Sequence, residues 1–167
     1  SLRTVVYVEV AGAFPAPDSA DGEATSAIRV VFNQPMSLDG LRRTLRVQNI
    51  DTAVDVQGTL TLNGSEAIFR PAALLERGAT YVVSVDAGAP AARGTGTLEN
   101  IYAANFRVAP LPELIDSSPG NGAANVDPGS SVQLTFSAPM DWDSVWNNLA
   151  ITPQPTSIIS SSYENEF

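Results

Sequence analysis

The sequence predicts an all-β protein folded as an antiparallel β-sandwich. Three observations carry that expectation: short apolar runs that alternate between two faces, frequent Gly and Pro between them, and the lack of any long helical period. The chain of 167 residues holds 12 Gly and 12 Pro, and its 44% hydrophobic against 16% charged content supports a packed core with many turns rather than disorder. Residues 4–10 are rich in β-branched side chains and read as a first strand. Ile28, Val30 and Phe32 then alternate onto one face of a second. Leu38, Leu41 and Leu45 recur at helical spacing behind Ser37, whose hydroxyl suits a helix N-cap, and Leu45-Arg46-Val47 resumes an extended run. Residues 59–62 and 66–70 flank Asn63-Gly64, a dipeptide that favours a tight hairpin turn, and strands at 80–85 and 105–108 follow. Val108-Ala109-Pro110-Leu111-Pro112 reads as a stiff extended joint, which divides the chain into a module at 1–109 and a second at 110–167.

The second module opens as a copy of the first. An ungapped offset of 104 superposes residues 28–48 on 132–152, with Phe32 on Phe136, Pro35 on Pro139, Met36 on Met140, Asp39 on Asp143, and Leu45 on Leu149. Pro15 falls on Pro119. The apolar spacing is carried over as well, since Val132, Leu134 and Phe136 alternate, and Trp142, Val145 and Leu149 follow Asp141 as Leu38, Leu41 and Leu45 follow Ser37. Leu149-Ala150-Ile151 is then expected to resume a strand. By the same offset residue 167 corresponds to position 63, so the second module has no counterpart of the strands at 66–70, 80–85 and 105–108. It is expected to be the N-terminal part of a sandwich, completed by the first module or by self-association with a second chain, in a protein that continues beyond Phe167.

These residues resemble a family: the bacterial Ig-like modules that occur in tandem in S-layer and other cell-envelope proteins. The family pattern opens with Ser-Pro-x-x-Gly, runs through an apolar strand ending Phe-x-x-Pro-Met, and closes with Phe-x-Pro, Leu-x-x-Gly-x-x-Tyr and a last strand containing Phe. The second copy shows the first half as Ser118-Pro119-Gly120-Asn121-Gly122 and Phe136-Ser137-Ala138-Pro139-Met140. The first copy shows the second half as Phe69-Arg70-Pro71, Leu75-Glu76-Arg77-Gly78-Ala79-Thr80-Tyr81 and Phe106. The resemblance implies an Ig-like sandwich in which Phe32, Pro35, Met36, Phe136, Pro139, Met140 and Tyr81 are structural, Tyr81 as the corner tyrosine that bonds nearby backbone. The first copy opens with Phe14-Pro15-Ala16 and has no Gly at the matching place, which implies a remodelled first loop.

Composition removes most chemistries. The chain has no Cys, no His and no Lys, so thiolate and imidazole catalysis, Schiff-base formation and the usual zinc sites are excluded. A net charge of −9, with only Arg42, Arg43 and Arg46 clustered among nine cations, argues against nucleic acid as a partner. No apolar run reaches the roughly 20 residues of a membrane-spanning helix. Asp18, Asp21 and Glu23 group carboxylates around a Gly and are the candidate calcium ligands, without EF-hand spacing; no other cofactor is expected. Trp146, with Trp142 beside it, is the candidate contact for a sugar or protein, because its counterpart in the first copy is the charged Arg42.

The function implied is that of non-catalytic spacer, scaffold or adhesion modules in a larger exported envelope protein, with neighbouring modules as partners. Two alternatives stand beside it. One places the modules at the front of a bacterial alpha-macroglobulin-like protease trap, whose thioester Cys would lie elsewhere; the other makes the chain a calcium- or carbohydrate-binding module.

Overall fold

The computed structural model describes residues 7–154. The chain divides into two compact units, Ser1–Pro110 and Leu111–Phe167.

The first unit is a sandwich of two four-stranded antiparallel sheets. One has the order β1-β2-β6-β5, built from Val10–Phe14, Ile28–Phe32, Glu66–Pro71 and Gly58–Asn63; the other has the order β4-β3-β7-β8, built from Val54–Asp55, Leu45–Asn49, Thr80–Val85 and Tyr102–Arg107. Alternation sets the core, because every second residue of β2, β3 and β7 points inward: Ile28, Val30 and Phe32 meet Leu45, Val47, Tyr81, Val83 and Val85, with Phe106 of β8 beside them. A short helix, α1 (Leu38–Thr44), links the two sheets. The Ser37 hydroxyl accepts from the Gly40 amide at 3.2 Å, and Leu41 is fully buried. Gly40 lies so close to Pro90 that a Cβ there would stand 2.5 Å from the ring.

The Pro-Met step has a visible purpose. The Ser37 amide donates to the Pro90 carbonyl and the Ala92 amide to the Pro35 carbonyl, so Met36 is 2% exposed beneath the segment around Ala91. The Leu-x-x-Gly-x-x-Tyr segment is equally concrete. Leu75 is buried, Gly78 takes the left-handed conformation at φ +77, and the Tyr81 hydroxyl accepts from the Glu76 amide at 2.8 Å while its ring stacks on Phe106.

The second unit contains an antiparallel pair, β9 (Leu114–Ser118) with β10 (Gln133–Phe136), and a helix, α2 (Trp142–Asn148). It reproduces the first at the level of single hydrogen bonds. Gln133 opposes Ser118 as Arg29 opposes Phe14, and Phe136 opposes Leu114 as Phe32 opposes Val10, with the β-bulge at the same place in both pairs. In the first copy the Glu9 amide donates to Asn33 Oδ1 and the Asn33 amide to the Glu9 carbonyl; in the second the Glu113 amide donates to Ser137 Oγ and the Ser137 amide to the Glu113 carbonyl. Asp141 caps α2 by accepting from the Ser144 amide at 2.7 Å, as Ser37 caps α1. None of the described residues of this unit is buried: Phe136, Met140, Trp142 and Val145 are half-buried, and Leu114, Val132 and Leu149 are exposed.

The structure corrects the sequence reading in four places. Among the described residues the first strand begins at Val10, residues 4–6 of the expected strand lie outside them, and Val8 makes only an isolated bridge to Leu98. The hairpin turns on Gly64 and Ser65, since Asn63 still pairs with Glu66 and Gly64 alone has positive φ, an arrangement of the II′ kind. Leu149–Ile151 forms no strand, because the first copy's β3 is paired by β4 and β7 and the described residues of the second unit hold no equivalent. Finally, the first loop is not remodelled. Asp18, at the position of Gly122 in the second copy, adopts φ +61 against +79 for the glycine, and the turn bond Ser19 amide to Ala16 carbonyl matches Ala123 to Gly120. Aspartate tolerates the left-handed region better than most residues, so the turn survives the loss of its glycine.

Two outcomes follow for stability. Asp18→Gly unfolds thermally at no lower temperature than the parent, whereas Asp18→Val costs about 1–2 kcal/mol by urea denaturation, because a β-branched residue is strained at positive φ. Tyr81→Phe costs about 1–2 kcal/mol in the same measurement, since it strands the Glu76 amide; an unchanged midpoint would show that the corner bond contributes nothing.

Candidate functional site

After β1 the chain crosses from the first sheet to the edge of the second. The Asp18 amide donates to the Asn105 carbonyl, the Arg107 amide to Ser19, the Gly22 amide to Arg107 and the Ala109 amide to Gly22, and Gly22 bridges Val108 in the parallel sense. Residues 21–25 therefore alternate: Gly22 and Ala24 are buried, while Asp21, Glu23 and Thr25 are exposed. Extended pairing spaces the Asp21 and Glu23 side chains roughly 6–7 Å apart along the strap. This is why Asp18, Asp21 and Glu23 are not brought together; among the described residues no three acidic side chains gather into a group that would hold a metal ion.

The strap instead walls a groove. An open depression of about 660 Å³ lies between residues 15–27 and the outer face of the first sheet. Its floor is a cross-strand row, because Phe14 opposes Arg29 and Arg29 opposes Ile68. The Arg29 guanidinium sits 4.6 Å over the Phe14 ring and 3.7 Å from Glu66. Asp21 and Glu23 line the strap side, and Arg70 and Glu66 the sheet side. Sequence reasoning missed Phe14, Arg29, Glu66 and Arg70, which are scattered over three strands and read as a solvated face. The signal that would have found them is the aromatic Phe14 standing where the second copy has Ser118.

The two tryptophans meet. Trp142 and Trp146 are one helical turn apart on α2 and stack with ring centroids 5.9 Å apart at 17°. Trp146 remains 40% exposed and Trp142 is half-buried. Burial raises the Tyr102 phenol above its ordinary value.

The model of the bacterial Ig-like domain matches residues 5–108 and again residues 109–166. The chain belongs to the bacterial Ig-like domain family. Both sandwich sheets of the first unit and the repeated strand pair of the second lie within those two matches. No curated protein matches the sequence. Among solved structures, the S-layer protein rSbsC is similar at 17% identity and a TM-score of 0.47, over 77% of this chain and 18% of that one. The N-terminal part of the bacterial S-layer protein SbsC is similar at 14% identity and a TM-score of 0.48, over 77% of this chain and 31% of that one. The chain thus spans less than a third of the length of either.

The splayed carboxylates generate a direct expectation. Addition of calcium to millimolar concentration leaves the thermal unfolding midpoint where it was, since only a ligand held by the folded state raises it; a rise that is abolished by Asp21→Asn would restore the calcium reading.

Proposed function

We propose that the chain supplies non-catalytic structural modules to an exported bacterial envelope protein, as spacer or scaffold. The observation that carries this reading is the repeat itself. The features common to both copies are the ones that hold a fold: strand register, bulge, backbone clamp, helix cap and left-handed turn. The carboxylates the copies share, Glu9 with Glu113 and Asp39 with Asp143, lie in the strand clamp, where the backbone of Glu9 and Glu113 makes the bonds, and in the first helical turn. Pro110 and Pro112 bracket the step from one copy to the next, a composition that favours an extended connection and suits modules set in series. The family membership supports the bacterial origin and the modular role, and a sandwich independent of disulfides suits a chain without cysteine.

Antibodies raised against the first unit label intact cells of the parent bacterium without permeabilisation. Labelling that appears only after the cytoplasm is opened would reject an envelope role.

A further inference from the structure

The groove of the first unit holds a chemistry that the fold does not require. Its wall and floor combine three carboxylates, Asp21, Glu23 and Glu66, with two guanidiniums, Arg29 and Arg70, around the apolar surfaces of Phe14 and Ile68. The second copy provides an internal control. At structurally equivalent positions of the same strand pair it carries Ser118 for Phe14 and Gln133 for Arg29, and β9 pairs with β10 in the same register. The pair therefore does not require an aromatic ring left 47% exposed, which the Arg29 guanidinium contacts at the groove.

We propose that this groove binds a neutral oligosaccharide. Carboxylates that accept and guanidiniums that donate satisfy the paired hydroxyls of a sugar ring from both sides. Ile68 and the part of the Phe14 ring that Arg29 leaves exposed offer apolar surface to its C–H faces. A volume of about 660 Å³ lies within the range of small-ligand sites, and an open groove admits a chain of sugars. Neutrality follows from charge: the groove carries one more carboxylate than guanidinium and the whole chain carries −9, so an anionic polymer is repelled. The proposal does not depend on the structural role proposed above; a spacer module with or without an envelope location can carry it.

The test titrates the full 167-residue chain with two neutral tetrasaccharides, one of β-linked glucose and one of N-acetylglucosamine, followed by NMR chemical shifts and calorimetry. At least one produces saturable shifts at Phe14, Ile68 and the Arg70 side chain. Phe14→Ser, which installs the second copy's residue, and Arg70→Gln each weaken binding by about tenfold or more while the unfolding midpoint stays within the parent's range. Should Phe14→Ser fail to fold, Arg70→Gln alone decides, because Arg70 is exposed at the groove and changes no core contact. The absence of saturable shifts with both sugars up to about 10 mM overturns the proposal. So does binding that survives both substitutions, and binding that instead quenches tryptophan fluorescence places the sugar on Trp142 and Trp146.

Discussion

The first unit depends on the burial of one face of β2. Ile28, Val30 and Phe32 lie at the centre of the sandwich, each at most 2% exposed, with β1 and β6 hydrogen-bonded on either side and the second sheet pressed against their tips. Removing a side chain of this kind from a packed core costs about 3–5 kcal/mol for a phenylalanine, a large share of the total stability of a domain this size. The remaining devices serve that burial. The Pro35-Met36 step turns the chain off the end of β2, the Ser37 cap starts α1, and Leu41 closes the gap between the sheets. The second unit shows the same apparatus without the burial: the counterparts of Phe32 and Leu41, Phe136 and Val145, are half-buried, although register, bulge and cap are intact. Local geometry is thus set by the strand pair and its turns, and the free energy of the sandwich by what covers them.

Much of this architecture was legible in the sequence because it is periodic or carried by residues with one dominant use. Alternation located β2 and β10, the Leu spacing located α1, and Ser37 and Asp141 behave as caps must. What escaped the sequence was set by partners. β1 is Val-Ala-Gly-Ala-Phe, which has weak strand propensity and becomes a strand through pairing with β2 and the clamp between Glu9 and Asn33. The identity of Glu9 with Glu113 was visible in the letters, but the part that matters is the backbone amide and carbonyl, which no side chain advertises. Asp18 misled for the opposite reason. A missing glycine suggested a missing turn, yet the backbone conformation persists under a different residue.

The groove was the least legible feature of all. Phe14, Arg29, Ile68 and Arg70 belong to alternating strands whose outward positions are expected to be polar and varied, so no period marks them. Only the pairing register, which aligns Phe14 with Arg29 and Arg29 with Ile68, makes them neighbours. The acidic residues show the same dependence on the backbone: Asp18, Asp21 and Glu23 are close in sequence, but Asp18 sits in a left-handed turn while Asp21 and Glu23 follow one another along the groove wall.

The strap along β8 also decides how the first unit meets mechanical tension. The segment from Asp18 to Gly22 runs parallel to β8 and lies near the start of the unit, whereas β8 lies at its end. A pull on the two ends of this unit draws those segments past one another lengthwise. The bonds from the Asp18 amide to Asn105, the Arg107 amide to Ser19, the Gly22 amide to Arg107 and the Ala109 amide to Gly22 are then loaded together in shear and must yield as a group. Hydrogen bonds arranged as a zipper would instead open one at a time under a smaller force. In a sandwich held at its two ends, the crossing of the chain from one sheet to the other is thus the place where extension meets shear rather than peeling.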